Sequence, residues 1–297
     1  SSDLLYRSGA IRKLGRVDHK DAFLDTDTLE KARGITIFSK QALLTAGNTD
    51  ITLLDTPGHV DFSTETERTL QVLDYAVLVV SGTDGVQSHT ETLWRLLRRY
   101  HVPTFVFVNK MDLPGKSREE LLAQLNHRLG EGFVAFDVPQ ADRDEALALC
   151  DENLMDRMLD AGQLTDADLI PAVARRHVFP CWFGSALRRT ENDALESVDA
   201  LLDGIDRYTR PAPALDAFGA KVFKVSQDEQ GTRLTWLRVT GGELKVKAQL
   251  SGEADGEPWE EKANQLRLYS GVKYTLAEAI GPGQVCAVTG QIGRAHV

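Results

Sequence analysis

The sequence has 297 residues with only three cysteines, and it contains neither a long apolar run nor a basic, apolar leader. Cys150, Cys181 and Cys286 are odd in number and far apart, which excludes a disulfide framework and a zinc knuckle. A membrane span needs about 18 consecutive apolar residues, so no span is predicted. The absence of a secretory leader predicts a cytoplasmic protein with no membrane partner. The length suffices for about two domains.

Basic residues are the second feature in short supply, because 34 Lys and Arg stand against 44 Asp and Glu and the net charge is −10. This balance excludes a general nucleic-acid coat, although local basic patches stay compatible with a ribonucleoprotein partner. Between Ser117 and Arg176, 13 Asp and Glu face 6 Arg. This shift in composition predicts an acidic helical insertion over 117–176.

Short, nearly all-apolar runs are typical of strands buried on both faces of a parallel sheet. Such runs occupy 76–80, 104–108 and 178–182, and apolar residues at helical spacing separate the first two. Strand–helix alternation predicts an α/β domain with a doubly wound sheet, in which ligand loops follow the carboxyl ends of the strands. We assign this domain to residues 1–208.

The pattern changes after a proline-containing linker at 209–214. Short strand-like segments separated by glycine turns follow, which predicts a small, incomplete antiparallel β-barrel over 215–291. Residues 292–297 fit no strand of this barrel and resemble the translation of a sequencing adapter. We interpret them as a non-native tail.

The segment Asp55-Thr56-Pro57-Gly58-His59, directly after a strand, is predicted to bind the phosphate end of a nucleotide. Asp55 can hold magnesium through water, and Gly58 lets its backbone N–H approach a γ-phosphate. His59 follows where an attacking water must be oriented. Thr36 lies after a polar loop, where its hydroxyl can ligate magnesium directly. Standing alone, either segment is equally compatible with an ordinary turn or strand start.

A base-binding site is predicted at two further strand ends. Asp112 can accept the ring N–H and the exocyclic amine of guanine, while Asn109 ties the loop to the base and the Lys110 stem covers the ring. Gly184-Ser185-Ala186 can offer backbone N–H groups to the guanine carbonyl. Together these segments predict GTP or GDP, with magnesium, as the ligands.

A phosphate-wrapping loop of the form G-x-x-x-x-G-K-[ST] is missing from the sequence. Gly115-Lys116-Ser117 has the right ending, but Lys110 stands where the first glycine belongs, so we interpret it as a turn that opens a helix. The chain opens in what resembles the helix after such a loop. We therefore expect an N-terminally truncated domain that binds GTP poorly and hydrolyses almost none by itself.

In combination, the motifs resemble those of translational GTPases of the elongation factor G class. Within that class the chain is most similar to the tetracycline-resistance ribosomal-protection proteins. Leu113 departs from the pattern, because the class usually has arginine at that position. The resemblance rests on four segments that stand in the order of that class: Glu30-x-x-Arg33-Gly34-Ile35-Thr36-Ile37, Asp55-Thr56-Pro57-Gly58-His59-x-Asp61-Phe62, Glu65-x-x-Arg68 and Asp84-Gly85-Val86-Gln87-x-x-Thr90.

The resemblance implies a P-loop-GTPase-like fold and GTP hydrolysis triggered on the ribosome, with His59 positioning water. The ribosome is the implied partner, in translation or in tetracycline release, and no stable homo-oligomer is expected. A non-hydrolysing guanine-nucleotide-binding module that contacts the ribosome is the alternative. A metabolic α/β enzyme is a third hypothesis, which the ordered set of motifs disfavours.

Overall fold

The structure is a computed structural model that describes residues 1–12, 24, 39–58, 63–186, 194–254 and 257–290. It has an N-terminal α/β part and a C-terminal antiparallel part. The predicted class, an α/β domain with a parallel sheet followed by a β domain, is confirmed in this form. Thr36, His59 and residues 292–297 lie outside the described residues.

The α/β part begins with helix α1 (Ser2–Arg7) and the antiparallel hairpin of β1 (Lys40–Ala46) and β2 (Thr49–Asp55). Gly47 takes a φ of 56° in the turn between these two strands, a value that favours glycine. The hairpin carries Asp55 as the last residue of β2.

A four-stranded parallel sheet with the order β3-β4-β6-β5 is the centre of this part. Its strands are β3 (Ala76–Ser81), β4 (Thr104–Asn109), β5 (Phe133–Ala135) and β6 (Phe179–Phe183). The range predicted as a helical insertion also contains β5. The domain limits themselves stay a prediction.

Seven helices within the described ranges accompany the hairpin and this sheet. They are α2 (Ser63–Leu70), α3 (Ser88–Arg99), α4 (Arg118–Leu129), α5 (Gln140–Ala148), α6 (Glu152–Ala161), α7 (Asp166–Ala174) and α8 (Ala194–Tyr208). None of the described helices is long and apolar enough to cross a bilayer.

Alternation along β4 explains why helices cover both faces of the parallel sheet. Val106 and Val108 pack in one core with Leu97 of α3 and other side chains of α2 and α4. Phe105 and Phe107 pack in a second core with side chains of α5 to α8. Successive side chains of a strand point to opposite faces, so a run of apolar residues serves both cores.

The C-terminal part contains a five-stranded antiparallel sheet with the order β13-β12-β15-β8-β7. The strands of this part are β7 (Gly219–Gln227), β8 (Arg233–Gly241), β9 (Leu244–Lys245), β10 (Gln249–Ala254), β11 (Glu257–Lys262), β12 (Gln265–Ser270), β13 (Lys273–Ala277), β14 (Ala279–Ile280) and β15 (Val285–Thr289). The pairs β10–β11 and β9–β14 form two short sheets beside it.

Apolar and polar contacts join the two parts. Val72, Phe223 and Val285 form a small buried cluster, with Leu54 and Trp236 packed against it. This cluster places the end of the hairpin and the first turn after α2 against the β domain.

Candidate guanine-nucleotide site

The segments predicted to bind guanine lie side by side because their strands are parallel neighbours. Ser81 pairs with Asn109 at the ends of β3 and β4, and Val108 pairs with Phe183 at the ends of β4 and β6. The loops that follow these strands therefore leave the same edge of the sheet. In doubly wound sheets, this edge is where ligands bind.

A side-chain hydrogen bond joins the two predicted base-binding loops. Asn109 Oδ1 accepts the backbone N–H of Ala186 at 2.9 Å, and the N–H of Met111 donates to the carbonyl of Gly184 at 3.1 Å. Lys110 takes a φ of 64°, which turns the chain between Asn109 and Met111. Two loops that are 77 residues apart in sequence thus hold each other in place.

Two glycines permit this close packing. A Cβ atom on Gly82 would lie 2.7 Å from Met111 Sδ, and one on Gly184 would lie 2.1 Å from Ser197 Oγ. Both distances are shorter than van der Waals contact, so a larger residue at either position would force Met111 or Ser197 to shift. Ser185, between Gly184 and Ala186, is 7% exposed. The second loop is therefore packed, whereas Lys110 is exposed and Asp112 is half-buried.

Gly115-Lys116-Ser117 opens α4, as predicted. The Ser117 hydroxyl accepts the backbone N–H of Glu120 at 3.2 Å, and the Glu120 carboxylate accepts the N–H of Ser117 at 2.7 Å. This reciprocal pair is a capping box. Lys116 Nζ donates to the carbonyl of Asp84 at 3.1 Å. The lysine therefore fixes the loop after β3 and has no phosphate-loop geometry around it within the described ranges.

Asp84 is a charged group of this edge that the site prediction did not include. The Ser81 and Thr83 hydroxyls donate to Asp84 Oδ2 at 2.7 and 2.9 Å. These hydrogen bonds, with smaller contributions from Lys110 and Lys116, lower the pKa of the Asp84 carboxyl. Asp84 thus adds a negative charge to the sheet edge that also carries Lys110. In the sequence, Asp84 opens the segment Asp84-Gly85-Val86-Gln87-x-x-Thr90, which is one of those that carry the resemblance.

The phosphate-end motif is described as far as Gly58. Asp55 Oδ1 accepts the hydroxyl of Ser1 at 2.5 Å, and the buried Thr66 hydroxyl of α2 donates to the carbonyl of Pro57 at 2.9 Å. Thr66 therefore holds this segment against α2, a role that the sequence did not indicate. A Cβ on Gly58 would meet nothing within 4 Å. Nothing in the described part of the protein therefore requires glycine at this position.

An apolar cavity of about 340 Å³ lies between β2 and β3. Within the described residues β2 pairs only with β1, and β3 pairs only with β4, so each presents one unpaired edge to this cavity. Side chains of both strands line it, including Leu53 and Leu78, and Asp55 to Gly58 lie at its border. The cavity thus connects the phosphate-end motif with the parallel sheet.

Comparisons with known proteins agree with this geometry. Residues 1–211 match the family described as Elongation factor Tu GTP binding domain. Tetracycline resistance protein TetM of Streptomyces lividans is 35% identical over 291 residues, which cover 89% of this chain and 45% of that protein. The oxytetracycline resistance protein of Streptomyces rimosus is 38% identical over 272 residues, covering 82% and 40%.

Elongation factor G of Ureaplasma urealyticum serovar 10 is 28% identical over 355 residues, covering 98% of this chain and 51% of that protein. A crystal structure of a Thermus thermophilus protein superposes with a TM-score of 0.80 at 25% identity, covering 99% of this chain and 50% of that one. The chain spans about half the length of the curated relatives that it matches.

Proposed function

Since the chain belongs to the family of elongation factor Tu GTP binding domains, we propose that its protein binds GTP and hydrolyses it on the ribosome. GTP hydrolysis then drives either a step of translation or tetracycline release, and the protein acts in the cytoplasm. The observation that carries the proposal is the hydrogen bond from Ala186 to Asn109, which joins two loops at one sheet edge. Such a preformed pair of loops suits a planar base.

In this proposal Asp112 accepts the ring N–H and the amine of guanine, and Lys110 covers the ring. Adenine would leave the carboxylate facing an unpaired site, and such a mismatch is worth on the order of 10⁴ in discrimination. Gly184 and Ala186 already donate their N–H groups to Val108 and Asn109. Ser185 is therefore the residue of this loop whose N–H we assign to the guanine carbonyl.

At the phosphate end, Asp55, Thr56, Pro57 and Gly58 form the wall that faces the γ-phosphate. Magnesium binds oxygen ligands and keeps most of its waters, with one or two carboxylates and the substrate phosphates. Asp55 at a strand end fits this donor set, and Thr36 is the proposed direct ligand. When bound, the metal neutralises charge on the phosphates. His59 orients the attacking water.

The groove between β2 and β3 supports a further part of the proposal, namely that one more strand lies there in the complete domain. Neighbouring strands lie about 4.7 to 4.9 Å apart, so a strand with partners on both sides fits two facing edges. An upstream strand in this groove would deliver a phosphate-binding loop beside Asp55.

Ribosome-stimulated GTP hydrolysis tests the proposal. We define the full-length chimaera as this chain joined in frame to the segments of the Streptomyces lividans relative that lie outside the match. Its single-turnover hydrolysis should rise when ribosomes are added, from on the order of 10⁻³ per second or less, the rate of unstimulated switch GTPases. Guanine-nucleotide binding without stimulated hydrolysis would favour the non-hydrolysing module, and loss of both would refute the proposal.

A further inference from the structure

Lys224 of the β domain contacts two segments of the α/β domain at once. Its ammonium forms an ion pair with Glu65 Oε1 at 3.0 Å and donates to the carbonyl of Ser39 at 2.9 Å. Glu65 Oε1 also accepts the N–H of Ser39 at 3.2 Å. The three residues close a triangle of polar contacts, which we call the Lys224 node.

The Lys224 node is largely removed from solvent. The side chains of Lys224 and Glu65 are 15% and 18% exposed, and the ammonium lies 5.9 Å from the centre of the Trp236 ring. Partly buried pairs are screened by salt much less than surface pairs. The contact is therefore built into the interface and differs from an incidental surface ion pair.

The Lys224 node lies close in sequence to two proposed functional residues. Ser39 follows closely on Thr36, and Glu65 follows closely on His59. The Ser39 hydroxyl is also bonded to the Thr69 hydroxyl of α2 at 2.8 Å. The segments that carry the proposed magnesium ligand and the proposed water-orienting residue are thus held at one point by a residue of the other domain.

We propose that Lys224 is a positioning residue for GTP hydrolysis, which acts from the β domain by holding Ser39 and Glu65 together. This inference rests on the proposed function. It makes the hydrolysis rate depend on how the β domain is seated, since withdrawal of the ammonium removes the contacts that tie both segments to the β domain and leaves Ser39 held only by its bonds to Glu65 and Thr69. Misplacement of a reacting group by about 1 Å is enough to slow a reaction about a hundredfold.

Arg238 offers a matched control. Its guanidinium crosses the same interface to Asp74 at 2.6 Å, and its side chain is 13% exposed. Asp74 lies just before β3, away from Ser39 and Glu65 in the chain. Arg238→Met therefore weakens the seating of the β domain while sparing the node. Lys221→Met removes an exposed charge from the same strand as Lys224.

The first measurement needs no nucleotide. Amide hydrogen exchange is recorded on this chain for Lys224→Met, Arg238→Met and Lys221→Met. Lys224→Met should speed exchange in 39–46 and 63–70 by about tenfold or more, as expected when a local structural unit loses stability. The two controls should change these segments far less. Equal effects of Lys224→Met and Arg238→Met would overturn the special role of the node.

The second measurement separates positioning from folding. In the full-length chimaera, Lys224→Met should lower the single-turnover rate at saturating GTP and ribosomes about a hundredfold, with GTP affinity within about threefold of the parent. Lys224→Arg, which can still donate to both partners, should recover most of the rate. An unchanged rate in Lys224→Met overturns the inference alone, whereas absence of hydrolysis in the parent overturns the proposed function.

Discussion

Replacement of Asn109 by alanine tests the hydrogen bond that joins the two predicted base-binding loops. Asn109 Oδ1 accepts the Ala186 N–H at 2.9 Å. Without this acceptor, a half-buried N–H loses its partner, which costs about 1 to 3 kcal/mol. Because the loosened loops of the variant must be ordered again when the nucleotide binds, we expect about 1.4 kcal/mol of this cost to appear in the binding free energy. That amount is a tenfold rise in the dissociation constant.

Equilibrium titration of the full-length chimaera with fluorescent GDP measures this effect. Asn126→Ala is the control. Asn126 bonds to the backbone of Phe133 at 2.9 and 3.1 Å in the same domain, but Phe133 is the first residue of β5 and so lies away from the carboxyl ends of the strands. It should lower the thermal midpoint as Asn109→Ala does and leave GDP affinity unchanged. Equal GDP affinity in the two variants would show that the hydrogen bond between Asn109 and Ala186 does not support nucleotide binding.

Three further predictions concern single residues of the site. Asp112→Asn should shift preference from guanine toward xanthine in competition binding, because an amide can donate to the additional carbonyl; unchanged selectivity would remove Asp112 from the base site. His59→Ala should spare GTP affinity but lower ribosome-stimulated single-turnover hydrolysis by at least about a hundredfold; an unchanged rate would mean that another residue orients water. Gly184→Ala should destabilise the chain by about 1 to 3 kcal/mol in denaturant unfolding, since its Cβ would lie 2.1 Å from Ser197 Oγ, whereas Gly58→Ala, with nothing within 4 Å, should change stability by less than about 0.5 kcal/mol. Similar losses in the two glycine variants would contradict the packing argument.

Strong local patterns made much of the α/β part predictable. The apolar runs at 76–80, 104–108 and 178–182 correspond to β3, β4 and β6, because a strand buried on both faces must be apolar throughout. Gly47-Asn48 is a typical hairpin turn sequence between two strand-like segments, and the structure has a hairpin there. Each predicted base-binding loop follows one of these strands.

Elements with weak local signals were missed or misjudged. β5 has three residues, too few for a period, and α2 is mostly polar, with no apolar stripe. Residues 244–250 have the composition of one strand, but the structure divides them between β9 and β10, because Lys247 takes a φ of 64° and interrupts the extended backbone.

Contacts between distant segments could not be predicted at all. The hydrogen bond from Ala186 to Asn109 and the ion pair between Lys224 and Glu65 join residues whose proximity depends on strand order and on the seating of the β domain. Residue types alone indicate which side chains are candidates for a site. Only the fold shows which groups hold one another in place.

The loops at Asn109–Asp112 and Gly184–Ala186 are proposed to select guanine. Competition of unlabelled GDP and ADP against fluorescent GDP on the full-length chimaera tests it most directly. GDP should displace the label at a concentration on the order of 10⁴ lower than ADP does, because adenine leaves the polar groups of the pocket unpaired. Displacement by GDP and ADP at similar concentrations would contradict the claim.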